Sequence, residues 1–302
     1  MRGVATDTST RAEDEVVELC RDLIRIDTTN EGEGHGKGER VAAEYVAEKL
    51  SEVGLDVTVL ESAPRRTSLV TRIEGSDPSR PALLVHGHLD VVPAQSEDWQ
   101  VDPFSGEIRD GCVWGRGAVD MKDMDAMVLA SVRAMLREGR RPERDLVVCF
   151  LADEEDGSRL GAHWLVEHHP ELFDGCSEAI SEVGGFSLTL GQQRLYLVET
   201  AEKGIAWLRL RAKGRAGHGS MRNDDNAVTL LAEAVARIGR HRWPLSLSAP
   251  VRSLLEESAD ALGVELDVTD EESVRGVVER LGAIGRMIGP TLHNTANPTR
   301  LD

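Results

Sequence analysis

The sequence has few cysteines and no long apolar run, and each absence excludes a class of protein. Cys20, Cys112, Cys149 and Cys176 are scattered without paired spacing, which argues against a disulfide framework and against a cysteine zinc site. No window is apolar and long enough to span a membrane. The N-terminal stretch MRGVATDTSTRAEDE lacks the apolar core that is typical of a signal peptide. We therefore expect a cytoplasmic protein.

Positive charge is also in deficit. Against 53 aspartates and glutamates there are 35 lysines and arginines, which gives a formal net charge of −18. This balance repels nucleic acids and anionic membrane surfaces, so we expect neither as a partner. A length of 302 residues favours about two domains.

Helical and strand patterns alternate over the first part of the chain. Such alternation favours an α/β domain with a largely buried sheet. The pattern changes near Glu202, after which residues 203–213 alternate as a strand with one exposed face. We therefore predict one domain over residues 1–200 and another over 201–302. Helices are predicted over 14–26, 40–53, 159–169, 252–262 and 271–284, and strands over 55–60, 69–74, 83–88, 145–151 and 178–181.

The stretch LLVHGHLDVVP, residues 83–93, gives the strongest chemical signal. A short apolar run ended by proline is typical of a buried strand, whose alternate side chains share one face. His88 and Asp90 therefore lie together at the carboxyl end of a strand, where open α/β sheets bind ligands. We interpret His88 as a metal ligand and Asp90 as the carboxylate that fixes its tautomer. A strand end with satisfied polar groups is the structural alternative.

Acidic residues lie near the ends of neighbouring predicted elements. Asp120 precedes a helix, where capping is the commonest role of an aspartate. The strand at 145–151 is followed by ADEEDGS, and the strand at 178–181 by Glu182. Nitrogen and oxygen ligands of this kind suit zinc, with cobalt or manganese as substitutes, and Asp120 can bridge two ions. Because adjacent residues at a strand end point opposite ways, one of Glu154 and Glu155 can bind metal while the other acts as general base.

Two further patterns are weaker. The stretch TTNEGEGHGKGER lacks the first glycine and the Ser or Thr of a phosphate-binding loop, so nucleotide binding is disfavoured. His163 and Glu167 lie one turn apart on a predicted helix that ends near His168 and His169. With no catalytic glutamate beside His163, we interpret these as surface residues.

Six segments together resemble a known family in order and spacing, across nearly the whole chain. They are GHLDVVP, WGRGAVDMKD, LADEEDG, AISE, GRAGHGS and HNTANPT. The family is the acetylornithine deacetylase / succinyl-diaminopimelate desuccinylase / aminoacylase / glutamate carboxypeptidase family of dinuclear zinc hydrolases. The resemblance implies an α/β catalytic domain of the zinc-peptidase type, with its sheet sandwiched by helices. It also implies an inserted smaller α+β lid or dimerisation domain, incomplete here.

The resemblance implies two zinc ions per complete site. His88 and Glu182 would bind one ion, Asp120 would bridge both, and Glu155 would bind the second. Family members continue well past this length, and their returning portion carries the last histidine ligand of the second ion. Because the chain stops at Asp302 inside the expected lid, we expect a fragment or a truncated form whose second site lacks one ligand.

The implied chemistry is hydrolysis of an amide or peptide bond in a small N-acyl amino acid or short peptide. Asp90 would orient His88, and Glu154 would be the general base. His218 of the lid would reach the site of the partner subunit in a homodimer and stabilise the oxyanion. The competing hypothesis is a non-catalytic relative that keeps the fold as a dimerisation or binding scaffold.

Overall fold

The computed structural model describes residues 11–183 and 187–301, and the chain divides into two compact units, residues 1–183 and 184–302. The first ten residues of the N-terminal stretch, Gly184 and Gly185 lie outside the described residues. The division falls upstream of the boundary predicted near residue 200. The interpretation of the two units as a catalytic domain and a lid stays a prediction.

Among its described residues, the first unit combines one large sheet, two small hairpins and four α-helices. In chain order its elements are α1 (Ala12–Arg25), β1 (Asn30–Gly32), β2 (His35–Gly36), α2 (Arg40–Ser51), β3 (Thr58–Ala63), β4 (Arg66–Ile73), β5 (Ala82–His88), β6 (Glu107–Arg109), β7 (Cys112–Trp114), α3 (Lys122–Arg137), β8 (Leu146–Leu151), α4 (Ala162–His168) and β9 (Cys176–Ile180). The large sheet has the strand order β3-β4-β8-β5-β9.

Strand direction in this sheet decides where the polar strand ends lie. Strand β5 pairs in parallel with both β8 and β9, whereas β4 is antiparallel to β3 and β8. The register sets His88 opposite Leu151, so the last residues of β5 and β8 are neighbours. The three parallel strands therefore deliver the residues that follow them to one edge of the sheet.

Both faces of the sheet are covered, as the apolar runs of the sequence predict. In β8, Val148 and Phe150 pack in a cluster with residues of α1, α2 and α3, while Val147 and Cys149 pack with Leu165 of α4. Strands buried on both faces read as continuous apolar runs rather than as alternating ones, which accounts for the LVVCFL of β8. The predicted sheet sandwiched by helices is confirmed.

Lys122 joins α1 to α3 from inside the core. Its side chain is fully buried, and Nζ donates to the carbonyl oxygens of Leu23 at 2.9 Å and Ile26 at 2.8 Å. These carbonyls belong to the C-terminal end of α1, where a cation also complements the helix dipole. Burial lowers the pKa of Lys122 to about 8.

The second unit contains one hairpin and four α-helices among its described residues. Two of the helices begin with a side-chain cap: the Asn226 side chain accepts from Thr229 N, and the Asp270 side chain accepts from Glu272 N and Ser273 N. In chain order its elements are β10 (Ser187–Leu190), β11 (Gln193–Tyr196), α5 (Ala227–Arg240), α6 (Ala249–Leu262), α7 (Glu271–Arg280) and α8 (Ala283–Ile288). Its small core lies between α6 and α7, around Leu255, Ala259, Val274, Val277 and Leu292.

Two predictions for this unit are wrong. Residues 203–213 form no strand, and Ile205, Trp207 and Leu208 are 79%, 78% and 82% exposed. Alternation favours a strand only where a neighbour completes the hydrogen-bond ladder, and no strand in the described part of the chain pairs with this segment. The helix predicted over 271–284 is two helices, because Gly282 has a left-handed φ of 61° and ends the first.

In the part of the chain that the structure describes, every helix is too short or too polar to cross a lipid bilayer.

Candidate metal centre

His88 ends β5 with its imidazole 2% exposed. Its Nδ1 lies 2.9 Å from the main-chain oxygen of Asp90 and 3.6 Å from Asp90 Oδ1. The main-chain oxygen is therefore the nearer partner, and only it lies at hydrogen-bond distance. A proton held between Nδ1 and this oxygen leaves the Nε2 lone pair for a ligand on the other side.

Three carboxylates surround that second nitrogen. His88 Nε2 lies 3.0 Å from Asp120 Oδ1, 3.7 Å from Glu154 Oε2 and 3.7 Å from Glu182 Oε2. The acids come from three separate segments: the residues before α3, those after β8 and those after β9. Folding has thus gathered one imidazole and three acids that are far apart in the sequence.

The same cluster includes Glu155. One ligand atom from each of His88, Asp120 and Glu155 lies within 4.8 Å of the others, and no other such group is found among the described residues. Nitrogen and carboxylate oxygen donors without a thiolate fit zinc, and they also fit cobalt and manganese. The donor set is thus chemically suited to a divalent cation.

The pKa shifts within the cluster also indicate a site for a cation. Burial and the charge of Asp120 raise the pKa of Glu155 to about 7, and the same two causes raise the pKa of Glu182. Burial alone lowers the pKa of His88, but the carboxylates of Asp90 and Glu154 outweigh it and raise that pKa to about 10. Acids packed this closely oppose one another's ionisation, and a cation among them relieves that repulsion.

Asp120 is not the cap of the helix that follows it. Helix α3 begins at Lys122, and its N-cap is Met121, with no side-chain capping hydrogen bond. Instead the Asp120 carboxyl, 57% exposed, lies beside His88 Nε2, and besides burial its charge contributes to the raised pKa of Glu182. The capping alternative for Asp120 is therefore wrong.

A left-handed turn presents the two glutamates after β8. Asp153 has a φ of 63°, so the chain turns sharply before Glu154 and Glu155. The Glu154 side chain is 46% exposed, and Glu155 is half-buried. Glu155 belongs to the three-residue ligand group and Glu154 does not, although both lie close to His88. The division into a metal ligand and a base stays a prediction.

Asp90 lies beneath both glutamates. Its carboxylate is fully buried; Oδ1 accepts from Glu154 N at 3.0 Å and Oδ2 from Glu155 N at 3.1 Å. Oδ2 also accepts from Asn30 Nδ2 at 2.9 Å. Burial raises the pKa of Asp90, but its interaction with His88 and its hydrogen bond from Asn30 lower it overall. The Asp90 side chain therefore contacts not only His88 but also the main chain of Glu154 and Glu155.

One residue beside the centre, Asn30, is not predicted by the sequence patterns, whereas the strand face of His86 is. Asn30 lies in the glycine-rich stretch TTNEGEGHGKGER, whose pattern resembles only an incomplete phosphate-binding loop. His86, two residues before His88 on β5, lies 3.3 Å through Nδ1 from Ser181 Oγ, next to Glu182. The alternation of side chains along a strand predicts that His86 shares a face with His88 and Asp90.

Other predicted residues lie elsewhere. His218 is an exposed residue of the second unit, with Nδ1 2.8 Å from Ser220 Oγ. Its role in a partner's site stays a prediction. His163, Glu167 and His168 are exposed, as expected of surface residues, and the His168 ring stacks on Trp164.

Comparison with known proteins places this site in a family. The sequence profile of Peptidase family M20/M25/M40 matches residues 84–284, about two thirds of the chain. The chain belongs to this family. The resemblance seen in the sequence motifs is thereby confirmed, as is the zinc-peptidase type of its α/β sheet.

Curated relatives of this M20 chain include an N-fatty-acyl-amino acid synthase/hydrolase and an aminoacylase. The N-fatty-acyl-amino acid synthase/hydrolase PM20D1 of Xenopus tropicalis is 30% identical over 245 residues, which cover 79% of this chain and 48% of the frog protein. Aminoacylase-1 of Sus scrofa is 31% identical over 226 residues, 74% of this chain and 53% of the pig protein. The chain spans about half the length of the curated relatives it matches.

Solved structures with the same fold include a dipeptidase and an M20 metallo-carboxypeptidase. The dipeptidase Dug1p of Saccharomyces cerevisiae superposes with a TM-score of 0.59 at 20% identity, over 86% of this chain and 61% of Dug1p. The metallo-carboxypeptidase Sso-CP2 of Sulfolobus solfataricus gives 0.56 at 15% identity, over 95% of this chain and 61% of its own. At these identities the likeness concerns the fold alone.

Proposed function

We propose that this chain is the metal-binding part of a zinc-dependent hydrolase that cleaves an amide or peptide bond in a small N-acyl amino acid or short peptide. The observation that carries the proposal is the ring of Asp120, Glu154 and Glu182 around His88 Nε2. The amide-cleaving relatives in the same family support the choice of bond.

The proposed ligands are His88 and Glu182 for one ion, Asp120 between the two ions, and Glu155 for the second. Zinc, when bound, lowers the pKa of water towards about 7 and polarises a carbonyl group. Cobalt or manganese would suit the same donors.

Glu154 is the proposed general base. Its carboxylate is close to His88 Nε2 yet nearly half exposed, so it can face both the centre and an entering substrate. It takes the proton of the attacking water on a carboxylate oxygen and returns it to the departing amine. His218, from the partner subunit of a proposed homodimer, would donate to the carbonyl oxygen as negative charge develops there. We also propose the cytoplasm as its location.

The test separates the two glutamates. In Glu154→Gln we expect turnover to fall by at least about 10²-fold, the size of a general-base contribution, with zinc per chain unchanged. In Glu155→Gln we expect the zinc content itself to fall. Zinc is measured by mass spectrometry, and hydrolysis is measured on a panel of N-acyl amino acids and dipeptides.

Glu167→Gln, a change at an exposed glutamate of the same unit, is the matched control and should alter neither quantity. Loss of zinc in Glu154→Gln but not in Glu155→Gln would reverse the two roles. Full zinc content with no hydrolysis of any substrate would instead favour the non-catalytic scaffold.

A further inference from the structure

Both polar atoms of the Asn30 side-chain amide form hydrogen bonds beside the metal centre. Its Nδ2 donates to Asp90 Oδ2 at 2.9 Å and to Asp153 Oδ1 at 3.2 Å. Its Oδ1 accepts from Gly32 N at 3.1 Å and from Arg66 Nη2 at 2.9 Å. With two carboxylates on one side and two N–H donors on the other, the amide fits in only one orientation. The residue is 3% exposed.

Both acceptors of Asn30 Nδ2, Asp90 and Asp153, help to fix the main chain at the glutamates that follow β8. The Asp90 carboxylate accepts the main-chain N–H groups of Glu154 and Glu155 in succession. Asp153 is the left-handed residue directly before them, and its other oxygen accepts from Leu160 N at 2.9 Å. Asn30 therefore holds the residue at which the chain turns and also the carboxylate that fixes the next two peptide groups.

Arg66 of β4 holds Asn30 in turn. Its guanidinium, on a residue 3% exposed, donates through Nη2 to the main-chain oxygen of His35 at 2.9 Å as well as to Asn30. Through Nη1 it binds Glu39 Oε1 at 2.6 Å, and Glu39 is fully buried. This contact chain anchors the amide to strand β4 and to the β1–β2 hairpin, neither of which supplies a proposed metal ligand.

Charge explains why an amide stands at position 30. The buried carboxyl groups of Glu39 and Asp153 lie within 4 Å of the buried Arg66 guanidinium, and a third buried carboxyl, that of Asp90, accepts from Asn30 Nδ2. A neutral donor between Asp90 and Asp153 satisfies both oxygens without adding another negative charge, whereas an aspartate would oppose two carboxylates at close range.

From these contacts we infer that Asn30, held by Arg66, is a positioning residue of the metal centre. It fixes the Asp90 carboxylate, and through it the main chain of Glu154 and Glu155, in the geometry that the proposed zinc site requires. The inference rests on the proposed function for the identity of the site, and it concerns residues outside the proposed ligand set.

The experiment compares Asn30→Asp with the wild-type chain in two measurements. The first is amide hydrogen exchange by NMR without metal, in which we expect the amides of Glu154 and Glu155 to exchange about tenfold or more faster, while those of α3 keep their rates. The second is titration with Co²⁺ alone, followed by its visible absorption. Here we expect the Kd to rise about 10- to 100-fold and the spectrum to change, as when a group supporting metal ligands is lost.

Asn226→Asp is the matched control, because it makes the same change at the N-cap of α5, where aspartate caps as well as asparagine. If Asn30→Asp does not fold, the same two measurements are made on Asn30→Ala and Arg66→Lys, which add no negative charge. Exchange at Glu154 and Glu155 unchanged from wild type would overturn the inference. Equal acceleration throughout the first unit would also overturn it, since that marks a purely structural role.

The two measurements separate the two proposals. If the wild-type chain binds no Co²⁺, the proposed metal function fails, while the exchange measurement still decides the role of Asn30. If the wild-type chain binds Co²⁺ and Asn30→Asp binds it equally well with an unchanged spectrum, the inference fails and the metal site stands.

Discussion

Gly87 of β5 lies directly against the carboxyl group of Asp125 in α3. A Cβ atom on Gly87 would overlap Asp125 Oδ1 and stand 2.9 Å from Met121 Cε. Neither Asp125 oxygen has a hydrogen-bond partner within the described residues, and burial raises the pKa of this carboxyl well above its usual value. The sheet and α3 approach this closely, one residue before His88, because position 87 has no side chain.

We therefore expect Gly87→Ala to lower the free energy of unfolding by about 1–3 kcal/mol, the usual cost of overpacking a core. Asp125→Ala in the same background should recover part of the loss, because it opens the space that the new methyl group needs. Gly204→Ala is the control, since nothing lies within 4 Å of its Cβ. Urea denaturation measures all four chains, and a Gly87→Ala protein as stable as wild type would contradict the close approach.

Lys122→Met tests the buried contact between α3 and α1. Removing the ammonium group leaves the carbonyl oxygens of Leu23 and Ile26 without that donor, in a place where the lysine is fully buried. We expect a loss of about 2–3 kcal/mol in the free energy of unfolding. Lys37→Met, at an exposed lysine of the same unit, should change it by less than about 0.5 kcal/mol. Equal stability of the two variants would argue against the contact.

Glu39 gives the protein a stability that depends on pH. Burial and the charge of Asp90 raise the pKa of Glu39 to about 7, against the opposing effect of Arg66, whereas the unfolded chain titrates near 4.5. The folded state thus keeps a proton that the unfolded state releases between these values. The contribution is fully present below about pH 4.5 and is lost as the pH rises through about 7, by roughly 3 kcal/mol.

Glu39→Gln should remove the part of the slope that comes from Glu39 and leave that of Glu155, whose pKa is also raised to about 7. Glu48→Gln, at an exposed position of α2, should keep the full slope. The measurement is the unfolding midpoint in urea at several values between pH 4.5 and 7.5. A Glu39→Gln protein that loses as much stability over this range as the wild type would show that the slope has another origin.

Metal binding should release protons. The pKa of His88 is about 10 and that of Glu155 about 7, so at pH 7 the imidazole is charged and the carboxyl is partly protonated. Cations bound at these two groups displace these protons, and we expect more than one proton released per chain when both ions of the proposed site are bound. Calorimetric titration with zinc in two buffers of different ionisation enthalpy measures the number. Glu155→Gln should reduce it, and heats that do not depend on the buffer would contradict the expected ligands.

Much of the first unit follows from local pattern. The apolar runs of β5 and β8 predict buried strands, because a sheet covered on both faces leaves no polar alternation. Once those strands are parallel, His88 and Glu155 must end at the same edge, so the cluster around them could be anticipated. The role of Asp120 could not be predicted from the sequence, since helix capping and metal binding favour the same residue type at that position.

Asn30 and Arg66 could not be found in this way. A polar side chain in a glycine-rich stretch has the pattern of an exposed loop residue. The burial of Asn30 depends instead on two distant partners: Asp90, 60 positions further along the chain, and Asp153, 123 positions further along. The failure at residues 203–213 has the opposite cause, because local alternation is present and the neighbouring strand is absent from the described residues.

Because His88 pairs with Leu151, the metal centre forms only when β5 and β8 are in the correct register. A slip of one position along β8 would turn every side chain of β5 to the opposite face and carry the imidazole away from the acids. Only molecules with the correct alignment would then gain the free energy of holding an ion. Divalent metal present during refolding would thus enrich correctly aligned chains over misaligned ones.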